Sequence, residues 1–412
     1  MTTHTMRHFA AGMAAAWAFG QAAAAPLQPA PIDLPAAIGL ALEGPRLRAA
    51  GHEAAASAAA AGQAGRYPNP TLDYLREGEQ AGARTTTIQL SQPIELGGKR
   101  QARVALADSM AALAREDLAA LREEVRAETI AAFHAVRAAQ ERRQVAATLA
   151  GLAQRGIEVA ARRVAAGKVS PIDVTRARLA AADAATEQNA AGAELAIART
   201  RLGALVGQPA DALALAPGAD ALPVLKPLPA LLAGAAQALP VRRARGQLAA
   251  QGAQVQVERA ARLPDLTLTV GSQKTDDAGR RQAVVGVSLP LPLFNRNEGN
   301  LLAALRRDDK AREELAAAEA AAVADLSAAW ARYEQARADA ALLRAEVIPS
   351  AQSAYELTLT GFEHGKFAFL DVLDAQRTWA GLQARQWAAT RDAWRAYADI
   401  ARLAGAAIEQ DQ

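Results

Sequence analysis

The chain repeats itself. "RYPNPTL" (Arg66 to Leu72) matches "RLPDLTL" (Arg262 to Leu268), and "LSQPIEL" (Leu90 to Leu96) matches "VSLPLPL" (Val287 to Leu293). "GKVSPIDVTRA" (Gly167 to Ala177) matches "GKFAFLDVLDA" (Gly365 to Ala375), and "LGALVG" at Leu202 to Gly207 stands opposite "IARLAG" at Ile400 to Gly405. Four anchors in one order, displaced by 196 to 198 residues, mark a tandem duplication. The boundaries follow: residues 26–206 form the first repeat, 231–408 the second, and the Pro-rich stretch 207–230 joins them.

Each half has two short alternating runs after its Arg-x-Pro anchor. Leu266, Leu268 and Val270 share one face while Thr267 and Thr269 share the other, and Val285, Val287 and Leu289 alternate with Gly286 and Ser288. Leu72 and Tyr74, then Ile88 and Leu90, repeat the pattern around a polar loop. These are amphipathic strands in pairs.

The rest is helical. No proline occurs between Pro93 and Pro171, between Pro171 and Pro209, or between Pro292 and Pro349. Leu106, Met110 and Leu113, and Val145, Leu149 and Leu152, are spaced four then three, as in a narrow coiled-coil seam. A helix from about Arg100 to Ala166 would be roughly 100 Å long at ~1.5 Å per residue. It stops at Gly167, suited to a C-terminal cap, and the next starts at "SPID", where Ser170 caps, Pro171 takes the first turn and Asp173 faces the dipole. Each half thus reads as two strands and a long helical hairpin, a mainly α fold with a small β part. Composition agrees: the 51% hydrophobic fraction is mostly alanine, and 5 Trp, 5 Tyr and 7 Phe would not fill a thick core.

Residues 1–25 carry Arg7, an apolar run from Phe9 to Gly20 and small residues at Ala22 to Ala25, the layout of a secretory signal peptide. Beyond them no window of 18 apolar residues lacks charge or proline, so a membrane-spanning helix is not expected. Without cysteine there is no disulfide, thiolate metal site or lipidated cysteine. The formal charge of +3 falls to +2 when Arg7 is removed, a balance that gives nucleic-acid binding little support.

Exported strands with one aliphatic and one polar face can sit in a soluble sheet or between lipid and a watery lumen. A membrane barrel must close, and bacterial barrels use eight or more strands, so four serve only if several chains contribute. Three copies would supply twelve.

The two repeats of strand pair and long hairpin, the tip motifs "GKVSPIDVTRA" and "GKFAFLDVLDA", and "SQPIELGGKR" together resemble the TolC-type outer-membrane efflux proteins over nearly the whole mature chain. The "QPIELGGKRQAR" form is most similar to the CzcC-type branch, which serves heavy-metal efflux. The resemblance implies a homotrimer with a 12-stranded β-barrel among outer-membrane lipids and a periplasmic α-helical barrel. It implies two further partners, a periplasmic adaptor and an inner-membrane proton-driven (RND-type) pump. No catalysis and no cofactor are expected.

The resemblance also assigns residues. Asp371 and Asp374, three apart on one helix face, become a carboxylate ring at a periplasmic constriction, although a helix N-terminus favours Asp371 without any gate. The first hairpin keeps Asp173 but has Arg176 in place of the second acid, poised to pair with an acidic neighbour. The turns Gly167, Lys168, Val169, Ser170 and Pro171, and Gly365, Lys366, Phe367 and Phe369, are where the family meets its adaptor; packing between hairpins is the plainer reading of Phe369. Leu90 would end a membrane strand, Pro93 its hydrogen bonding, and Gly97 and Gly98 would let the chain bend into the helical barrel. Pro290 and Pro292, with Asn295 and Asn297, mark the same joint in the second half. No metal site is expected, since His52, His134 and His364 lie far apart in sequence. Trp379, Trp387 and Trp394 read as core, and Tyr67 and Tyr74 as interfacial aromatics.

Two other functions compete. A periplasmic coiled-coil adaptor explains the helices but not the strands, and an exported enzyme lacks a grouping of nucleophile, base and orienter. Within the duct reading, organic toxicants or secreted protein are the alternative cargoes.

Overall fold

The same elements occur twice. The first half runs α1 (Leu34–Leu42), α2 (Pro45–Ala64), β1 (Thr71–Glu77), β2 (Thr85–Ile94), α3 (Lys99–Ala165) and α4 (Ile172–Val206). The second runs α5 (Leu228–Leu232), α6 (Leu239–Ala260), β3 (Leu266–Thr275), β4 (Arg281–Ser288), α7 (Glu298–Leu342), α8 (Ile348–Glu363) and α9 (Phe369–Ala404). The computed structural model describes residues 31–78, 84–217, 221–275, 280–404 and 408. The expected signal segment, 1–25, lies outside the described residues.

The long helix is 67 residues, within a residue of its expected ends. Alanines dominate its buried side: Ala127, Ala146, Ala153 and Ala160 accompany Val125, Ile130, Phe133 and Leu149. Small side chains let neighbouring rods approach closely, which is how a chain poor in aromatics fills its core. The expected seam holds at Leu149 but not at Met110, which is 55% exposed while the adjacent Ala111 is buried. Near the sheet α3 is flanked by α2 and α6 and meets them over small residues; a side chain at Gly246 would stand 3.2 Å from Leu113 Cδ1.

Those flanking helices are additions to the strand-and-hairpin reading. In α2 only Leu47 is buried, so its alanine- and glycine-rich sequence carries no apolar period to reveal it. The outer arm of the second hairpin differs too. α7 and α8 form one rod interrupted by a π-helical turn, Leu343–Val347. Pro349 stands two residues beyond it, and its missing N–H and bulky ring account for the local widening.

The described parts of the Pro-rich join, 207–217 and 221–230, pack as a strap. Leu213 and Leu225 are buried, Ile32 and Leu215 form a parallel bridge, and the Tyr333 hydroxyl donates to the Pro223 carbonyl.

All four strands form one antiparallel sheet in the order β1-β2-β3-β4, with β2 and β3 joining the halves over Thr85↔Thr275 to Ile94↔Leu266. β2 therefore runs four residues past Leu90 and includes Pro93, opposite Thr267. The pairing with β1 has already stopped at Ser91↔Thr71, so Pro93 falls where one edge has no partner strand, the place a sheet tolerates proline. Gln92 Nε2 donates to the carbonyls of Pro68 and Pro93 there, at 3.0 and 2.9 Å.

Candidate functional site

Register decides what each face of the sheet can meet. Leu72 pairs with Leu90, Leu90 with Val270 and Val270 with Val285, a single apolar rung across four strands. Tyr74, Ile88, Leu268 and Val287 share its face, and all of these side chains are exposed in the protomer. The opposite face carries Thr85, Thr87, Gln89 and Ser91 on β2 and Thr267, Thr269 and Gln273 on β3, with Ser91 and Thr269 hydroxyls 3.0 Å apart. Its charged strand residues are Asp73 and Glu77; no Lys or Arg of the described strands points to that side. One face suits hydrocarbon and the other water. β1 and β4 remain open edges, and no helix among the described residues is long and apolar enough to cross a membrane.

The joint below the sheet is held by the basic residues of "GGKRQAR". Gly97 (φ 70°) and Gly98 (φ 74°) both take the left-handed conformation, and a side chain at Gly97 would lie 2.6 Å from Leu263 Cδ1. Cations at a helix N-terminus oppose the dipole, so Lys99, Arg100 and Arg103 at the start of α3 need partners. Lys99 Nζ lies 2.7 Å from Asp265 Oδ1, which also accepts the Leu96 N–H. Arg103 makes a bidentate pair with the largely buried Glu95 and donates to the carbonyls of Ala64 and Arg66. Arg100 donates to the Gly65 carbonyl and lies over Tyr67. In the second half Asn297 (φ 56°) takes the left-handed position before α7 and donates to the Glu258 side chain and carbonyl. Pro290 and Pro292 stand in the exposed irregular segment between β4 and this turn, where the Leu293 N–H donates to the Leu291 carbonyl at 2.9 Å. The sequence reading saw the glycines but not the cation network, whose one signal was positive charge at the wrong end of a helix.

Both hairpin tips lie at the other end of the protomer and close in the same way. Gly167 N–H donates to the Val164 carbonyl and Lys168 N–H to Arg163; Gly365 N–H donates to Phe362 and Lys366 N–H to Gly361. These are paired Schellman caps with glycine at positive φ. Gly167, Lys168, Ser170 and Pro171 are exposed, Val169 is half-buried, and Ser170 Oγ accepts the Ile172 N–H at 3.4 Å. Gly365, Lys366 and Phe367 are exposed, Phe367 by 49%, with its ring against Gly361. Phe369 is turned inward, 5% exposed, packed on Phe362 and beside Gly156. The Arg163 guanidinium of the first hairpin donates to the Phe362 carbonyl and sits 4.3 Å from that ring's centroid.

Asp371 and Asp374 are exposed on one side of α9, opposite the buried Val372 and Leu373. Asp371 Oδ2 accepts the Ala368 N–H at 2.8 Å, so this carboxylate caps its helix. Asp374 has no such task. Arg176 pairs with Asp173 on its own helix, at 3.4 Å. Trp394 is buried, Trp379 and Trp387 half-buried, and among the described residues no group of three or more His, Asp or Glu could hold a metal ion.

A sheet with a lipid-type face and a watery face, carried on helical hairpins roughly 100 Å long, defines the protomer of an outer-membrane duct. Residues 38–208 and 235–406 match the family described as Outer membrane efflux protein, and the chain belongs to that family. Over 378 residues it is 41% identical to the Cobalt-zinc-cadmium resistance protein CzcC of Cupriavidus metallidurans, covering 91% of this chain and 90% of that one. The Nickel-cobalt-cadmium resistance protein NccC of Alcaligenes xylosoxydans xylosoxydans is 28% identical over 270 residues, 63% of this chain and 59% of its own. The solved outer-membrane channel OprN shares the fold with a TM-score of 0.78, at 22% identity, over 90% of this chain and 89% of that one.

Proposed function

We propose that the chain is the exit-duct subunit of a tripartite, proton-driven (RND-type) efflux system, and that its cargo is heavy-metal cations of the cobalt, zinc and cadmium class. The observation that carries the cargo is the 41% identity, along nine-tenths of both chains, with a cobalt-zinc-cadmium resistance protein. The open β1 and β4 edges support a homotrimer, since three four-stranded sheets joined edge to edge make a closed twelve-stranded barrel that leaves no strand unsatisfied in lipid.

In this reading the pump and a periplasmic adaptor deliver cations to the hairpin tips, where Gly167 to Pro171 and Gly365 to Phe367 form the docking rim. Asp371 and Asp374, repeated three times, set a negative potential at the opening and favour cations over anions. Asp73 and Glu77 extend that preference into the strand lumen. The chain moves nothing uphill and needs only a continuous polar path.

A deletion strain tests this. It should lose tolerance to cobalt, zinc or cadmium and regain it on complementation. Unchanged metal tolerance with lost tolerance to organic toxicants would reassign the cargo, and recovery of the protein as a soluble periplasmic monomer would remove the duct.

A further inference from the structure

The lipid-type face of the sheet ends in a rung that conduction does not use. Arg76 pairs with Thr86, Thr86 with Lys274 and Lys274 with Arg281, so one rung across all four strands reads Arg, Thr, Lys, Arg. Strand alternation puts it on the face of Leu72, Tyr74, Ile88, Leu90, Val270 and Val285, and its three cations are exposed. No Asp or Glu of the described strands shares that face, because Asp73 and Glu77 alternate to the other. By sequence the connecting segments carry three acids, Glu79, Asp276 and Asp277, against two bases, Arg84 and Arg280, a net of minus one that lowers the rung's three positive charges to two without cancelling them.

Depth follows from the register. From Thr86 to Ile94 is about 27 Å along the strand at ~3.4 Å per residue. A strand tilt of ~40° reduces that to about 20 Å of height, close to the ~25 Å apolar band of an outer-membrane barrel. The rung therefore sits at the hydrocarbon boundary, at the end of the sheet away from the glycine joint. On the duct reading, on which this inference rests, that end faces the cell exterior. Lys and Arg at such a boundary bury their stems and hold their charges in the headgroup layer.

We propose that Arg76, Lys274 and Arg281 bind the phosphorylated headgroups of outer-leaflet lipids. The four strands span about 14 Å at ~4.8 Å spacing, so the three cations reach one bisphosphorylated headgroup. The two guanidinium groups offer paired donors to phosphate oxygens and the ammonium a third contact. Thr86 separates Arg76 from Lys274, whereas Lys274 and Arg281 are direct cross-strand neighbours whose repulsion a shared phosphate would relieve; three protomers would ring the barrel with nine such charges.

The test uses the full-length protein purified in detergent and native mass spectrometry of bound lipid. Bisphosphorylated lipid A should bind at least tenfold tighter than the same lipid stripped of phosphate, and the difference should shrink as salt rises. R76Q/K274Q/R281Q should lose that tenfold preference, and R76K/R281K should keep most of it. Equal binding of the two lipids by the unmodified protein overturns the proposal whether or not the triple variant folds. So does displacement by inorganic phosphate at the lipid's own concentration, which would make the rung a simple anion site. Metal tolerance of a strain carrying the triple variant separates the two readings. Tolerance retained by the variant strain, with no lipid preference in the unmodified protein, overturns this inference alone, whereas a protein found outside the outer membrane overturns the duct reading and this one together.

Discussion

His134 lies flat on Trp394, the two rings parallel to within 3° and their centroids 3.6 Å apart. The stack joins α3 of the first repeat to α9 of the second, with Phe133 edge-on to His134 and Tyr397 edge-on to Trp394. Burial, aided by the nearby Arg137 charge, holds the imidazole down to about 3, so it is neutral at any periplasmic pH. In the unfolded chain the same group titrates near 6.5, so the unfolded state takes the proton first. His134 therefore leaves stability unchanged above about pH 6.5 and removes it as pH falls from there toward 3, at about 1.4 kcal/mol per pH unit in each protomer. Melting curves of the unmodified protein and H134F should diverge across that window, with the variant losing less. Parallel curves would mean that His134 is not the group responsible.

The glycine pair at the joint gives a graded prediction. Both residues have positive φ, so alanine at either costs about 1–2 kcal/mol. At Gly98 the nearest obstacle is the movable end of Gln101, at 3.2 Å, whereas at Gly97 it is Leu263 at 2.6 Å. G97A should therefore be about 1–3 kcal/mol worse than G98A through overpacking, with less heat-stable assembled protein in the membrane fraction. L263A should rescue G97A and not G98A.

Arg163 supports a third prediction. It serves the carbonyl end of α8 and the Phe362 ring at once, tying the second tip to the first. R163A should raise the resting conductance of the duct in planar bilayers and lower its melting temperature. R163K, which keeps charge but not the planar fork, should fall between. Conductance identical to the unmodified protein would show that the contact does not restrain the tip.

What could be read in advance was what depends on local pattern. Gly167 and Gly365 announced helix ends because left-handed caps need glycine, and alternation at Leu266 to Val270 announced a strand with two unlike faces. What escaped depended on the partner. Pro93 read as a stop, yet it continues β2 because β1 has already ended beside it. Met110 fitted a heptad, but at that height helices on both flanks let Ala111 take the inward place. At Phe369 the sequence allows both docking and packing between hairpins, and the contacts with Gly156 of the first hairpin and with Phe362 decide for packing. The ion pair Lys99–Asp265 links residues far apart in sequence, and no local pattern joins them.

The two acids of the second tip can be told apart by experiment, because only one has a second duty. Asp371 accepts the Ala368 N–H, so D371A should cost about 1 kcal/mol of helix stability, while D371N, which keeps an acceptor oxygen, should cost less. Asp374 makes no cap, and D374N should leave the melting temperature unchanged. If both carboxylates line the opening, each neutral variant removes three of six charges in a trimer. Block of the open duct by divalent cation added on the periplasmic side should then weaken several-fold in D371N and in D374N, and further in the double variant. Block that weakens only in D371A, in step with its lost stability, would reduce Asp371 to a helix cap and leave Asp374 a solvated surface residue. Equal weakening in the two asparagine variants, with stability intact, would place both charges at the constriction.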